Sequence, residues 1–245
     1  MPLLAALHFL TVVPLPGRAP SAQDMAESAG YFPVVGLLIG VFLAGCDAIL
    51  AVFVPDGVIA ALLIVLLITI TGGLHLDGLA DTCDGFFNGG ASPQRRLEIM
   101  RDSHVGSYGV TGIVALLLVQ YAGIAGLSPS IRATALVAMA TLSRWAMSFA
   151  VLSFPYGREQ GLGSAFRPRS PARSLFFATA FALAVCLLLL NIAGAALLSI
   201  VWLTTWLVGR LLLHRLPGLT GDTYGAINEV VQSVVLVLLV TFDWS

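Results

Sequence analysis

The 245-residue sequence contains no lysine; its twelve basic residues are all arginine, set against thirteen acidic ones for a net charge of −1. Without a basic excess there are few counterions to release from a phosphodiester backbone, which argues against a nucleic-acid partner. An arginine-only basic set suits forked binding of phosphate or carboxylate, although genome base composition produces the same bias. Charge of either sign is scarce, at 10% against roughly 25% in soluble domains. With 58% hydrophobic residues and a mean hydropathy of +0.95, the chain cannot cover itself with a solvated surface. Cysteine is limited to Cys46, Cys83 and Cys186, odd in number, widely spaced and mostly in apolar runs, which argues against a disulfide framework or a zinc site. There is no long hydrophilic domain, low-complexity tract or internal repeat, so residues 1–245 read as one domain. The first stretch, MPLLAALHFLTVVPLPGR, lacks a basic segment ahead of its apolar residues and reads poorly as a cleaved signal peptide. It is also short for a span, and an interfacial or packed helix is expected.

What the chain has in abundance is apolar runs of spanning length. Seven are expected to cross a bilayer: Tyr31–Val54, Val58–Leu74, Tyr108–Leu127, Ile131–Ser153, Ser174–Leu190, Ala193–Leu213 and Ile227–Phe242. Pro55-Asp56-Gly57 separates the first two as a turn, and Pro129 and the Asn191 region break two other pairs. The fold class is therefore all-α, a polytopic membrane helical bundle of about seven transmembrane helices. With the N-terminus cytoplasmic, ten of the twelve arginines fall on cytoplasmic segments or span ends: Arg18, Arg95, Arg96, Arg101, Arg158, Arg167, Arg169, Arg173, Arg210 and Arg215. Arg132 lies beside an external connection and Arg144 inside a span. The three long connections, His75–Ser107, Phe154–Arg173 and His214–Ala226, then share the cytoplasmic face. Asp47, in the outer half of the first span, has no evident partner.

The stretch from Gly72 to Gly85, GGLHLDGLADTCDG, carries the chemistry. Asp77, Asp81 and Asp84 are spaced i, i+4, i+7 and share one face of a helix. Two carboxylates about 6 Å apart repel by roughly 3 kcal/mol at an effective dielectric near 20. No basic residue interleaves them. A hard divalent cation with oxygen ligands, Mg²⁺ before others, relieves that repulsion. The bland alternative is a solvated acidic helix end, but aspartate is a poor helix former and negative charge is disfavoured at a helix C-terminus.

Further candidates sit on the same face. Asp102, just before the third span, is a metal ligand or a base toward a hydroxyl nucleophile. Arg96 and Arg101 suit phosphate oxygens, with a positive-inside flank as the competing account. Arg144, inside the fourth span, is a functional candidate because a buried ionisable group is expensive in a membrane; snorkelling competes. Asp222 and Glu229 are acids at a membrane edge, among glycines that permit close backbone approach. His75 adjoins the acids but points about 160° away from Asp77 on a regular helix, toward a neighbouring span. His8 and His214 read as structural.

Taken together, these segments resemble the cobalamin synthase family, the adenosylcobinamide-GDP ribazoletransferases. The resemblance is carried by Gly72–Gly85, by LEIMRDS at Leu97–Ser103, by Ser143-Arg144, Gly161-Leu162-Gly163, Thr220-Gly221-Asp222-Thr223 and Glu229, and by Phe9-Leu10-Thr11 and Phe32–Gly36 near the start. It covers the chain in order, with His104 standing where arginine is common in the family. The resemblance implies transfer between adenosylcobinamide-GDP and α-ribazole or its 5′-phosphate with release of GMP, Mg²⁺ as cofactor, and a place in the bacterial inner membrane. A homo-oligomer, or association with other cobalamin-assembly enzymes, is left open. The residues then divide as follows: Asp77, Asp81, Asp84, Asp222 and Glu229 for the metal, the last two alternatively orienting the nucleophile; Arg96, Arg101, Arg144 and Asn228 for substrate; Asp102 or His75 for the hydroxyl proton. Two rivals are weaker. A CDP-alcohol phosphotransferase needs an Asp-Gly-x-x-Ala-Arg start, and Asp81-Thr82 occupy its last two places. An ion-coupled transporter places its acids near the midplane rather than at one face.

Overall fold

The computed structural model describes residues 1–14, 19–158, 161–166 and 168–242. Arg18 and Arg167, both counted in the charge asymmetry, lie outside them. The fold is helical among the described residues, with a single isolated β-bridge between Tyr156 and Leu219. The helices in chain order are α1 (Pro2–Leu10), α2 (Ala22–Ser28), α3 (Phe32–Leu50), α4 (Asp56–Thr71), α5 (Leu74–Phe87), α6 (Pro93–Ile99), α7 (Ser107–Gly126), α8 (Pro129–Ser153), α9 (Pro171–Leu213) and α10 (Gly221–Thr241). The helical membrane bundle read from the sequence is borne out.

Among the described residues, five helical segments are long and apolar enough to cross a membrane, or six if α4 and α5 form one broken span. The seven expected runs map onto α3, α4, α7, α8, two limbs of α9, and α10. With 16 residues, α4 reaches about 24 Å, short of a hydrocarbon core of about 30 Å. The break in α9 falls at Leu190 and Asn191, where Asn191 adopts φ 51°. Beyond it, a Cβ on Gly194 would collide with the Cys186 backbone, so the second limb folds back against the first.

The central element is α8, which packs against α3, α9 and α10 and is almost wholly buried. Its alanines at 135, 138, 140, 146 and 150 are fully enclosed and let neighbours close in. The nearest neighbour is α3, which presents Gly36 and Gly40 as a small-xxx-small pair. A Cβ on Gly40 would lie 2.6 Å from Val137 Cα, and one on Gly36 would strike the Ala140 carbonyl. In lipid, where apolar burial gives little drive between helices, such contact supplies the packing. By contrast α7 is mostly exposed along its length, through Val110, Val114 and Leu118, as suits a lipid-facing helix.

At the end of the bundle holding the α8 N-terminus, Arg132 is buried and donates to Asp47 (2.7 Å) and Asp56 (2.7 Å). This explains Asp47: three helices are tied by one guanidinium that satisfies two carboxylates. An Arg132→Leu exchange leaves Asp47 buried and unpaired, and is expected to destabilise the protein by about 3–5 kcal/mol. Thermal unfolding of detergent-purified protein checks this; an unchanged midpoint refutes it.

Candidate active site

The acidic helix α5 is aimed by two glycines. Gly72 and Gly73 take left-handed φ of 63° and 72°, closing the end of α4 and turning the chain by 90° into α5. Residues with a Cβ adopt that region reluctantly. After the turn, α5 lies across the start of α10. A Cβ on Gly78 would stand 2.7 Å from the Asp222 carbonyl oxygen, and one on Gly225 would stand 3.1 Å from the His75 carbonyl. The missing side chains let the two backbones touch, which brings acids from remote parts of the chain together. Asp81 lies in the electrostatic reach of Asp222, Asp77 and Asp84, opposed by Arg158.

The N-terminus of α10 is built by a capping box: Thr220 Oγ1 accepts from the Thr223 backbone while Thr220 N–H donates to Thr223 Oγ1 at 2.7 Å. Asp222 follows in the first turn, where the helix dipole favours negative charge. Its carboxylate accepts from Arg158 Nη2 at 2.7 Å. Arg158 is brought there by two backbone bonds, Gly157 N–H to Leu219 O and Leu219 N–H to Pro155 O, both 2.8 Å. Tyr156 packs between Gly161 and Gly163, giving that glycine pair a structural reason.

These residues surround a cavity of about 150 Å³, lined by His75, Asp77, Gly78, Tyr156, Arg158, Asp222 and Gly225, with Phe9 of α1 and Met147 of α8. The volume is below the roughly 300–1,000 Å³ of pockets that enclose drug-sized ligands. It matches a phosphate-sized portion of a larger molecule that otherwise lies outside. A larger cavity, about 520 Å³, lies at the opposite end of the bundle around Ser128, Thr134 and Asn191, with no ionisable residue in its lining.

The candidate residues divide between this cavity and elsewhere. Asp77, Asp222 and His75 line it, and Asp81 stands one turn on from Asp77 along α5. Asp84 has another engagement: Oδ2 accepts from Gly106 N–H at 2.7 Å and Oδ1 from Gly109 N–H at 2.9 Å, so it caps the start of α7. Glu229 is buried one layer below and accepts from Gln120, Asn228 and Gln232. Arg96 is buried and donates to the Gly85 and Phe86 carbonyls at 2.7 and 2.6 Å, closing the C-terminus of α5. Burial, and then the neighbouring Arg215, lower its pKa. Arg101 is exposed. Asp102 is exposed too and is held by the ring and backbone of His104, hydrogen bonds that keep its carboxyl below the usual range. Arg144 is fully buried, with Nη1 on Ser143 Oγ and with Nε and Nη2 unpartnered. Of the two residues expected to take a hydroxyl proton, only His75 lines the cavity. Arg158 went unread as a site residue, because nothing in a loop sequence says which acid a lone arginine will meet; Pro155 and Gly157 just before it were the available signal.

A helical bundle that crosses the membrane several times and gathers carboxylates and an arginine around a phosphate-sized cavity at one end defines a polytopic membrane protein with a polar site. The chain belongs to the cobalamin-5-phosphate synthase family, whose model matches residues 2–240. It is 39% identical over 237 residues to the adenosylcobinamide-GDP ribazoletransferase of Desulforamulus reducens (96% of this chain, 94% of the relative). It is likewise 39% identical over 239 residues to the protein of the same name from Roseiflexus sp. (97% and 88%). To that of Pseudomonas savastanoi pv. phaseolicola it is 36% identical over 244 residues (98% of each chain). No solved structure matches.

The closeness of α5 to α10 is testable without substrate. In a cysteine-free background, an Asp81→Cys/Asp222→Cys pair is expected to be bridged by a short bifunctional thiol reagent. Adding Gly78→Val should lower the yield several-fold, since the new side chain has no room. Equal yields with and without the valine would mean the backbones are not in contact.

Proposed function

We propose that this chain is an Mg²⁺-dependent transferase of the bacterial inner membrane that joins adenosylcobinamide-GDP to α-ribazole or its 5′-phosphate and releases GMP. The observation that carries the reading is the meeting of Asp77, Asp222 and Arg158 around a cavity sized for phosphate, with Asp81 in their electrostatic reach. Membership of the family, and the names of the relatives, select this substrate pair over a CDP-alcohol or a transported ion.

The donor set fits a hard dication: all-oxygen carboxylates whose mutual repulsion is opposed by a single arginine. Among the described residues no three acidic, histidine or cysteine side chains stand close enough to hold a metal ion by themselves. Mg²⁺ keeps several waters and is completed by substrate phosphates, so few side chains need reach it directly. Asp77, Asp81 and Asp222 would hold it, and when bound it would neutralise the diphosphate charge. Asp84 and Glu229, engaged elsewhere, support the site indirectly.

The rest of the chemistry falls to the chain's own residues. A ribazole hydroxyl oxygen bonds to the cobinamide-side phosphorus, and the bond from that phosphorus to the GMP oxygen breaks. His75 accepts the hydroxyl proton from the cavity wall. Arg158 draws a phosphate oxygen into the cavity beside Asp222, and Arg144 stabilises charge from beneath. Such transfer depends mainly on positioning and electrostatics. The arginine asymmetry supports a cytoplasmic setting for this end of the bundle, with the N-terminus on the same side and seven spans. The opposite end fits that orientation, since its buried Arg132 is neutralised by Asp47 and Asp56.

Purified protein in nanodiscs, given adenosylcobinamide-GDP and α-ribazole, is expected to release GMP only with Mg²⁺. An Asp81→Asn exchange should lower turnover on the order of a hundredfold, as expected when a group stabilising phosphoryl charge is lost. Normal turnover by that variant removes the metal assignment, and no GMP from the wild type with either ribazole form removes the transferase. His75→Asn should be impaired far more than Asp102→Asn; the reverse order returns the proton to Asp102.

A further inference from the structure

Beneath the cavity lies a second polar layer that the reaction as described uses only through Arg144. Met147, three residues on from Arg144, and Gly225, four before Glu229, both line the cavity, so the layer sits about one helical turn below its floor. Arg144 is fully enclosed, and its one hydrogen bond is from Nη1 to Ser143 Oγ at 3.0 Å. Nε and Nη2 have no partner. The acid whose charge acts on it is Glu229, and the influence is mutual. Yet among the described residues these two buried groups form no direct ion pair, although burying a charge is costly unless it is paired.

The reason is visible in what holds Glu229. Gln120 Nε2 of α7 donates to Oε2 at 2.9 Å, while Gln232 Nε2 and Asn228 Nδ2 of α10 donate to Oε1 at 2.8 and 3.1 Å. Three amides from two helices tether the carboxylate where it stands. The buried residues of α7 are Gly109, Gln120, Gly123 and Ile124, and Gly123 meets Leu236 so closely that a Cβ there would lie 2.8 Å from it. A mostly lipid-facing helix is thus drawn against α10 at the place where its one buried amide reaches Glu229. Three amides in apolar surroundings are costly unless they are put to use.

We propose that Gln120, Asn228 and Gln232 are positioning residues that fix Glu229 as a non-contacting counter-charge for Arg144, so that two N–H groups of Arg144 stay free for an anionic phosphate oxygen of the substrate. The proposal rests on the transferase reading and gives Glu229 a task other than holding metal. Were Glu229 untethered, it would close onto the guanidinium and occupy the fork that the phosphate needs.

The test is a double-mutant cycle in nanodiscs, reading kcat and KM for adenosylcobinamide-GDP. Gln120→Leu is expected to lower kcat/KM on the order of tenfold, the scale of one hydrogen bond to a charged group. In an Arg144→Lys background, where the fork is already gone, the same exchange should have less than about a twofold effect. Glu229→Gln should leave the Mg²⁺ concentration for half-maximal rate unchanged. Multiplicative losses in the cycle, a raised Mg²⁺ requirement in Glu229→Gln, or unaltered kinetics with a lower unfolding temperature each overturn the proposal. A second arm needs no turnover: inorganic diphosphate with Mg²⁺ should raise the unfolding temperature of the wild type but not of Gln120→Leu or Arg144→Lys. Equal shifts in all three overturn the proposal, whereas a wild type that binds diphosphate but releases no GMP faults the transferase reading instead.

Discussion

The contact on which everything else depends is between the backbones of α5 and α10, at Gly78 and Gly225. Their approach brings Asp77 and Asp81 beside Asp222 even though the two segments are more than 140 residues apart. Carboxylates do not gather of their own accord, since each pair repels by a few kcal/mol. The cluster is held by features whose stability does not come from the acids. These are the double-glycine turn before α5, the Arg96 and Arg215 bonds onto its last carbonyls, the Asp84 cap on α7 and the Thr220 capping box. The strain at the site is offset by ordinary hydrogen bonding around its edge.

The same logic organises the bundle along its length. At one end Arg132 joins α8, α3 and α4 through two carboxylates and leaves both of them paired. In the middle Arg144 and Glu229 are near enough to feel each other and are kept from pairing. At the other end Arg158 takes one oxygen of Asp222, with Asp77 and Asp81 close by. From one end to the other, the carboxylates go from each being paired, through an enclosed acid with no ion pair, to a cluster sharing one arginine at the cavity. That gradient suits a membrane protein that must remain folded at one end and receive a polyanion at the other.

Most of the individual parts were readable in advance, since long apolar runs have few alternatives to membrane-spanning helices. Asp77 and Asp81 were identifiable because three acids at helical spacing after an apolar span contradict local preference. Other roles were not readable. Asp84 has the same spacing as its two neighbours, and only the passage of α7 across the end of α5 turns it into a helix cap. Arg96 looks like a phosphate ligand beside Arg95 and Arg101, but the end of α5 needs donors and Arg96 is close enough to give them. Asp47 made no sense until α8 placed Arg132 beside it. Gln120 carries no readable role in the sequence, because its hydrogen-bond partner lies 109 residues away and leaves no local trace.

By itself, the sequence determined that this chain lives in a bilayer as a set of helices, where it breaks them, and that three of its acids share one helix face. Those properties come from composition and from spacing within single segments, and each segment carries them alone. Which carboxylates meet, which are taken up as caps, and which arginine keeps free donors were decided only by the tertiary structure. Those outcomes depend on distances between segments remote in the chain, and on glycines whose value lies in the neighbour they admit.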